Sequence, residues 1–297
     1  MKALVSPKEL AGALGVSESS IKRWVDEGKI VAHRTAGGHR RIELAAAVRF
    51  LRDFQQKLVK PVLLGLPEQL SERSGGEPEW AADWPAEVGD QLHRLLESGA
   101  SAASRSLLVQ LYLEGYTPAE IFDGPLRLAM SRIGHLWTRG EAGIFVEHRA
   151  TEISLHAVQQ LRALMPENPE GPLAIGGAPS PDSSQLPTLM AAITLAEVGF
   201  RAVNLGPDLP LAVLGGAVAD LKPALVWVSF SHASDPRVTE QELDLLYHQI
   251  EIAGGALAIG GPSAPPCLGR PWRRFLRGDT LAELVAFARG LGLIAVG

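Results

Sequence analysis

The spacing of apolar residues changes along the chain, and each change predicts a different kind of structure. Residues 1–56 hold short apolar clusters separated by glycines, which predicts short helices around tight turns. Residues 87–165 carry leucines at helical spacing with breaks near Gly99, Gly115 and Gly140. This second pattern predicts four or five helices packed as a bundle.

Beyond Pro172, short apolar runs alternate with helical stretches. The runs LAIGGA, AVNLG, ALVWVSFS and ALAIGG are separated by predicted helices at about 186–198, 210–220 and 238–253, and a last helix is predicted at 280–291. Apolar runs of this length between amphipathic helices are typical of a parallel sheet with helices on both faces. We therefore predict a doubly wound α/β domain, whose ligands bind beyond the carboxyl ends of the strands.

Two short helices across a tight turn are predicted at the amino end. Ser6-Pro7 places a capping side chain before a proline at the first helical position, and Gly15 ends that helix. Ser17 caps a second helix, which Gly28 closes. In a helix-turn-helix the second helix enters the major groove of DNA. The residues we expect to contact bases and phosphates are Ser19, Ser20, Lys22 and Arg23.

A glycine turn flanked by cations follows in the run HRTAGGHRRI, residues 33–42. Such a run predicts a β-hairpin wing beside the helix-turn-helix. The side chains that this wing would place against the phosphate backbone are Arg34, His39, Arg40 and Arg41. The alternative is a small basic domain that binds protein, but the wing and the recognition helix occur together at the expected separation.

The predicted organisation is multidomain. It comprises a winged helix-turn-helix over 1–60, a linker over 61–86 that is rich in Pro, Gly, Ser and Glu, a helical bundle over 87–168 and a doubly wound parallel α/β sheet over 169–297. Charge separates the head from the body, because residues 1–60 carry +6 and the remainder −11 within a net charge of −5. A basic head on an acidic body favours a polyanion as partner of the head alone.

Cysteine usage and hydropathy predict a cytoplasmic protein. Cys267 is the single cysteine, so a disulfide within the chain is excluded. The amino end lacks the apolar core of a signal peptide, and no apolar stretch reaches the length of a membrane span.

The head resembles the MerR family of bacterial transcription regulators. The resemblance rests on Arg23-Trp24 in the second helix and on the run from Arg34 to Arg41, and it covers residues 3–56. It implies binding to double-stranded operator DNA and self-association into a homodimer or tetramer. It also implies that the protein is a regulator without enzymatic activity.

The body resembles the cobalamin-binding module of CarH-type light-responsive repressors, which also carry a MerR-like head. Trp137 is followed by Glu147-His148 in the bundle, and Leu205-Gly206-Pro207-Asp208 follows a predicted strand. The resemblance implies a Rossmann-type sheet domain and favours repression over activation. The positions that it implies for cofactor binding are Trp137, Thr138, Glu147, His148, Asp182, Ser184, Ser229, Ser231, Gly260 and Gly261.

Both axial histidines of that family are replaced in this chain. The family's Glu/Asp-x-His-x-x-Gly motif reads Asp182-Ser183-Ser184-Gln185-Leu186-Pro187 here, so the cobalt ligand position holds Ser184. The histidine that follows the tryptophan in the family is Thr138. Since neither hydroxyl replaces an imidazole at a transition metal, we expect the standard light switch to be disabled.

Three interpretations of the body stay open at this point. It could be a scaffold that oligomerises without a cofactor, a cobalamin site without the lower axial histidine, or a site for another tetrapyrrole or small ligand. The imidazoles that remain available to a ligand are those of His135, His148, His156 and His232.

The sequence predicts no enzyme. The zinc motif H-E-x-x-H, the phosphate loop and the nucleophile elbow are all absent, and Cys267 lies in a Pro-rich loop without an evident base. Glu147 and His148 are adjacent on a helix, where neighbouring side chains point about 100° apart. The predicted function is a DNA-binding transcriptional regulator. The alternative from another class is a ligand-binding signalling protein that does not bind DNA.

Overall fold

The structure, a computed structural model, describes residues 2–68, 70, 84–232, 236–267 and 269–293. The chain forms two compact units, one of Met1–Thr117 with Gly124–Pro166 and one of Pro118–Asp123 with Glu167–Gly297. The predicted linker at 61–86 lies outside the described residues at 69 and over 71–83. Its first turn is a 3-10 helix, Pro61–Leu64. The domain limits given above remain predictions.

A winged helix-turn-helix forms the amino-terminal part of the first unit. Its elements are β1 (Leu4–Val5), α1 (Pro7–Leu14), α2 (Glu18–Asp26), β2 (His33–Arg34), β3 (Arg40–Glu43) and α3 (Leu44–Asp53). The strands pair antiparallel in the order β1-β3-β2. The predicted pair of helices and the predicted hairpin are confirmed.

Local hydrogen bonds set the helix boundaries of the head. The Ser6 hydroxyl accepts from the Glu9 N–H at 3.2 Å, and the Glu9 carboxylate accepts from the Ser6 N–H at 2.8 Å. Gly15 ends α1 at φ 69°, in the left-handed region that favours glycine. The Ser17 hydroxyl accepts from the Ser20 N–H at 3.1 Å and caps α2. The tight turn between the two helices therefore follows from their caps.

The core of the head lies between α1, α2 and α3. Ile21 is fully buried, whereas Trp24 and Val25 are half-buried. The Trp24 ring packs on Phe50 of α3 with 5.0 Å between ring centroids. The apolar side of α2 thus faces α3, and its polar side remains exposed.

The rest of the first unit is the helical bundle. Its α-helices are α4 (Trp84–Ser98), α5 (Ser101–Leu113), α7 (Arg127–Gly134) and α8 (Glu141–Arg162). A 3-10 helix, His135–Arg139, joins α7 to α8. Between α5 and α7 lie α6 (Pro118–Ile121), which belongs to the second unit, and a π-helical turn, Phe122–Leu126. The predicted bundle is confirmed.

The second unit is built on a parallel five-stranded sheet in the order β5-β4-β6-β7-β8. Its elements in chain order are β4 (Leu173–Gly177), α9 (Gln185–Glu197), β5 (Arg201–Asn204), α10 (Leu211–Leu221), β6 (Leu225–Ser229), α11 (Pro236–Ala253), β7 (Ala256–Gly260), β8 (Phe275–Gly278) and α12 (Leu281–Gly290). One core packs α10 and α11 against the sheet, and a second packs α9 and α12. The predicted doubly wound fold is confirmed.

The strand β8 was not predicted from the sequence. It reads Phe-Leu-Arg-Gly, carries Arg277 within it and lies at the edge of the sheet beside β7. An edge strand is half-exposed, so it lacks the apolar run by which the central strands are recognised. Among the described residues, no helix combines the length and the hydropathy that a membrane crossing requires.

Candidate DNA-binding head and strand-end site

The candidate recognition helix α2 presents its polar residues to solvent. Ser19, Lys22 and Arg23 are exposed, and Ser20 is half-buried. Lys22 pairs with Glu18 at 2.8 Å, and Arg23 lies 3.8 Å from Glu27. Exposed pairs of this kind contribute little to stability, so both cations can exchange their partner for a phosphate.

The wing is a two-stranded hairpin around a glycine turn. The Thr35 N–H donates to the His39 carbonyl at 2.9 Å, and the Gly38 N–H donates to the Thr35 carbonyl at 2.8 Å. Arg34, His39 and Arg41 are exposed on this hairpin. The structure therefore places these three predicted contact residues on one exposed element.

Arg40 differs from the other wing cations because it contacts α2. Its guanidinium lies 2.5 Å from the Asp26 carboxylate and donates to the Lys22 carbonyl at 3.2 Å. Its side chain is only 20% exposed. Arg40 thus connects the wing to α2, a contact that the sequence did not indicate.

The predicted body residues of the first unit lie around the turn between α7 and α8. Trp137 belongs to the 3-10 helix, but its side chain lies outside the part of the chain that the structure describes. The Thr138 hydroxyl donates to the His135 carbonyl at 2.9 Å. On α8, His148 Nε2 lies 3.8 Å from a Glu147 carboxylate oxygen. An open pocket of about 410 Å³ is lined by His93, Arg132, His135, Leu136 and Thr138.

In the second unit, Asp182 is the centre of a hydrogen-bond cluster beyond the end of β4. It is 2% exposed, and its carboxylate accepts from the backbone N–H groups of Ser184 at 2.9 Å, Ser231 at 2.5 Å and His232 at 3.2 Å. Burial by itself raises the pKa of Asp182, but the hydrogen bonds from Ser231, Ser184 and His232 outweigh it and lower that pKa below its ordinary value. The group is therefore a buried carboxylate anion.

The imidazole of His232 completes this cluster. Its Nδ1 lies 3.2 Å from Asp182 Oδ1 and 3.3 Å from Ser184 Oγ, and the side chain is 71% exposed. Ser184 follows β4 and His232 follows β6, two strands that are neighbours in the sheet. Sequence reasoning named His232 only as one of several available imidazoles. A histidine directly after the run VSFS was the signal for a role at the strand end.

The remaining predicted positions of the second unit lie at the ends of β6 and β7. Ser229 is buried, and the Ser231 hydroxyl oxygen is buried without a hydrogen-bond partner among the described residues. Gly260 ends β7. Gly261 has φ +102°, and a Cβ there would lie 2.2 Å from the Phe230 carbonyl oxygen, so the backbone requires glycine.

A buried network next to this cluster was missed. The Trp227 Nε1–H donates to the Thr188 hydroxyl at 3.0 Å, which donates to Asn204 Oδ1 at 2.9 Å. It joins α9 to β5 and β6 and thereby fixes the helix that begins beside Ser184. Cys267 is buried, and burial raises the pKa of its thiol to about 11, which agrees with the lack of an evident base beside it in the sequence.

Comparisons with known proteins identify two types of domain in this chain. Residues 4–53 match the family described as a helix-turn-helix domain, and residues 88–162 match the family described as a B12 binding domain. Together they define the class as a helix-turn-helix protein with a B12-binding-type helical domain. The chain is 24% identical over 241 residues to the HTH-type transcriptional repressor CarA of Myxococcus xanthus, and the match covers 77% of each protein.

Over part of its length the chain is similar in fold to a solved corrinoid protein. The monomethylamine corrinoid protein of Methanosarcina barkeri matches with a TM-score of 0.54 and 17% identity, covering 69% of this chain and 99% of that one. At this identity the likeness concerns the fold alone. The comparison supports the predicted cobalamin-binding-like architecture.

The donor set at the end of β4 and β6 fits a corrinoid. The His232 ring provides an exposed nitrogen donor, and the buried Asp182 carboxylate orients it. An imidazole is a good ligand for a transition metal. In the first unit, the Thr138 hydroxyl donates to the His135 carbonyl and supplies no nitrogen.

Proposed function

We propose that this chain is a DNA-binding transcriptional regulator with a MerR-like head and a B12-binding-type body. The observation that carries the proposal is the pairing of an exposed polar helix with an exposed cationic wing. Lys22 and Arg23 lie on the helix, and Arg34 and Arg41 lie on the wing, all exposed. A helix for the major groove and cations for the flanking phosphates are the two parts that a DNA-binding head requires.

Two observations support the regulatory role. CarA of Myxococcus xanthus, to which this chain is similar, is a transcriptional repressor of the helix-turn-helix type. This similarity favours repression and a function without catalysis. The net charge of the body is negative, which limits the contact with DNA to the head. We expect a cytoplasmic homodimer or tetramer, because a single head of this size binds weakly.

The body of this regulator differs from the resembled light-responsive module at both axial positions. Ser184 and Thr138 stand where that module has histidines. We propose that capture of the metal by the residue after Trp137 does not occur, because the Thr138 hydroxyl offers no nitrogen donor. The standard switch is therefore disabled, and any response to a cofactor uses other side chains.

An electrophoretic shift assay with promoter fragments tests the proposal. We expect Arg34→Ala combined with Arg41→Ala to weaken binding to all fragments and to reduce the slope of log affinity against log salt by about 1.8, or ~0.9 for each lost phosphate contact. The matched control, Arg201→Ala with Arg289→Ala, removes two exposed cations from the second unit. It should leave affinity and slope unchanged.

Two results would contradict the proposal. An unchanged slope in the wing variant would make the wing assignment wrong. A wild-type protein that shifts no fragment even at low salt would favour the alternative, a ligand-binding signalling protein.

A further inference from the structure

We propose that His232 is the residue through which this chain ligates the cobalt of a corrinoid, with Asp182 as the carboxylate that orients its ring. The inference rests on the B12-binding-type body of the proposed function. It departs from one of the three interpretations left open by the sequence, a cobalamin site without the lower axial histidine, because here an imidazole comes from the end of β6 and not from the motif that follows β4.

The first step is the pairing of the two side chains. His232 Nδ1 lies 3.2 Å from Asp182 Oδ1, and the carboxylate is fixed by three backbone N–H donors. Metal-binding histidines typically donate one ring N–H to a carboxylate, which sets the tautomer and leaves the other nitrogen for the metal. Here Nδ1 faces the Asp182 carboxylate, so Nε2 is the nitrogen left to coordinate a metal.

The second step is the exposure of that donor. The His232 side chain is 71% exposed, although the carboxylate that holds it is 2% exposed. Within the described ranges, no hydrogen bond occupies Nε2. A ring that is held at Nδ1 and accessible at Nε2 can therefore coordinate a metal that lies outside the sheet.

The third step is the small side chain at position 184. Ser184 Oγ lies 3.3 Å from His232 Nδ1, so the ring occupies the space directly beside the residue that replaces the family's histidine. A larger side chain at 184 would compete with His232 for the same carboxylate. The loss of one imidazole therefore leaves room for the other.

The position in the sheet agrees with a ligand site. In the order β5-β4-β6-β7-β8 the chain passes from β4 to β5 on one side and then crosses to β6 on the other. Such a change of direction marks the place, at the carboxyl ends of β4 and β6, where ligands of doubly wound folds bind. Asp182 follows the first of these strands and His232 follows the second.

A corrinoid fits better than a free metal ion. No group of three or more His, Cys, Asp or Glu side chains that could hold a metal is present among the residues that the structure describes. A single imidazole cannot hold a free transition metal, which needs three or four protein ligands. A corrinoid brings four equatorial nitrogens with its cobalt and needs only an axial ligand from the protein.

The test uses the full-length protein labelled with ¹⁵N-histidine. The purified chain is incubated with hydroxocobalamin in the dark, separated from free cofactor by gel filtration and reduced to Co(II). Electron paramagnetic resonance then reports the nitrogen on cobalt. A protein histidine gives the two-line splitting of ¹⁵N, whereas the cofactor's own benzimidazole gives the three-line splitting of ¹⁴N.

We expect the ¹⁵N splitting in the wild type and its loss in His232→Ala. The control is His248→Ala, which removes an exposed imidazole from α11 and should keep the splitting. Asp182→Asn should keep the ligand but lower cofactor affinity by about 10- to 100-fold, the usual effect of losing a carboxylate behind a metal-bound histidine. Ser184→His added to His232→Ala should restore the ¹⁵N splitting and thus exclude misfolding as the cause.

Three results would overturn the inference. The first is cobalamin bound with only the ¹⁴N splitting, and the second is a ¹⁵N splitting that survives in His232→Ala. The third is a protein that does not retain cobalamin, whether or not it retains hemin in a parallel incubation. None of them affects the assignment of the head, because the DNA shift assay is performed without cofactor.

Discussion

Arg40 illustrates how one residue acquires its role from a partner distant in sequence. The sequence places it beside Arg41 in a basic wing, where both are expected to contact phosphate. In the structure Arg40 is paired with Asp26 and is 20% exposed, whereas Arg41 is exposed. Neighbouring cations on one strand therefore differ in their surroundings, because one is paired with a carboxylate of α2 and the other faces solvent.

Removal of the partner of Arg40 distinguishes bracing from direct contact with DNA. If Arg40 braces the wing, Asp26→Ala should weaken DNA binding by about 2- to 5-fold, equivalent to up to ~1 kcal/mol for an ion pair of this kind. The loss should occur although the substitution removes a negative charge near DNA. Fluorescence anisotropy with a labelled operator measures the change.

The control for this comparison is Asp53→Ala, which removes another carboxylate of the head that pairs with an exposed arginine, Arg49. It should leave affinity unchanged or slightly improved. Tighter binding by Asp26→Ala would mean that Arg40 is a phosphate ligand for which Asp26 merely competes.

At the scale of elements, capping residues and the spacing of apolar residues define the helices. The order of the strands in the sheet defines the candidate site. Glu9 and Ser6 form a capping box, and Gly15 ends the same helix at φ 69°. These features act within one turn of helix, so they are readable in the sequence. The pairing of β4 with β6 is decided across some fifty residues of chain.

The capping box of α1 should make the stability of this helix depend on pH. A hydrogen bond from the Lys2 side chain, together with those from Ser6, lowers the pKa of Glu9 from its ordinary 4.5 to about 2. Because the folded pKa is lowered, the stabilisation is present above pH 4.5 and is lost as pH falls from there towards 2. The backbone amides of α1 should therefore exchange faster in Glu9→Gln than in the wild type at pH 6.

The difference in the exchange rate of the α1 amides between the wild type and Glu9→Gln should become smaller at pH 3. Hydrogen exchange with peptide-level mass spectrometry measures it, with both proteins compared at the same pH. Glu170→Gln, an exposed carboxylate in a turn of the second unit, serves as the control and should match wild type at both values. A gap of constant size would show that the charge of Glu9 is not what stabilises the cap.

At the scale of the whole first unit, the head is attached to the bundle by α3. The Arg52 guanidinium stacks on the Tyr112 ring of α5 at 3.8 Å and donates to the carbonyls of Gly115 and Tyr116 at 3.3 and 3.4 Å. A guanidinium that combines a ring contact with carbonyl acceptors fixes two helices in one arrangement. The head is thus a packed part of its unit.

Loss of this contact should destabilise the junction of head and bundle. We expect Arg52→Ala to destabilise the unit by about 2 kcal/mol, the effect of losing a partly desolvated contact with a ring together with its hydrogen bonds. Hydrogen exchange should accelerate in both α3 and α5. Arg49→Ala, one turn earlier on α3 with a 72% exposed side chain, is the control and should change neither helix. Faster exchange in α3 alone would contradict a shared junction.

Much of the fold was predictable because it depends on local patterns. The helix-turn-helix, the wing, the bundle and four of the five parallel strands follow from caps, glycine turns and apolar periods. The edge strand β8 was missed because a half-exposed strand with Arg277 lacks an apolar run. Of the candidate site, the sequence identified Asp182 and Ser184 but gave His232 no specific role.

The sequence by itself determined most of the helices, four of the five parallel strands and the segment that carries the excess of cations. Those properties depend on residues within a few positions of one another. Only the tertiary structure decided that Arg40 meets Asp26 and that His232 meets Asp182, a pair separated by 50 positions. The physical reason is that such contacts depend on the order and register of strands, which no local preference specifies.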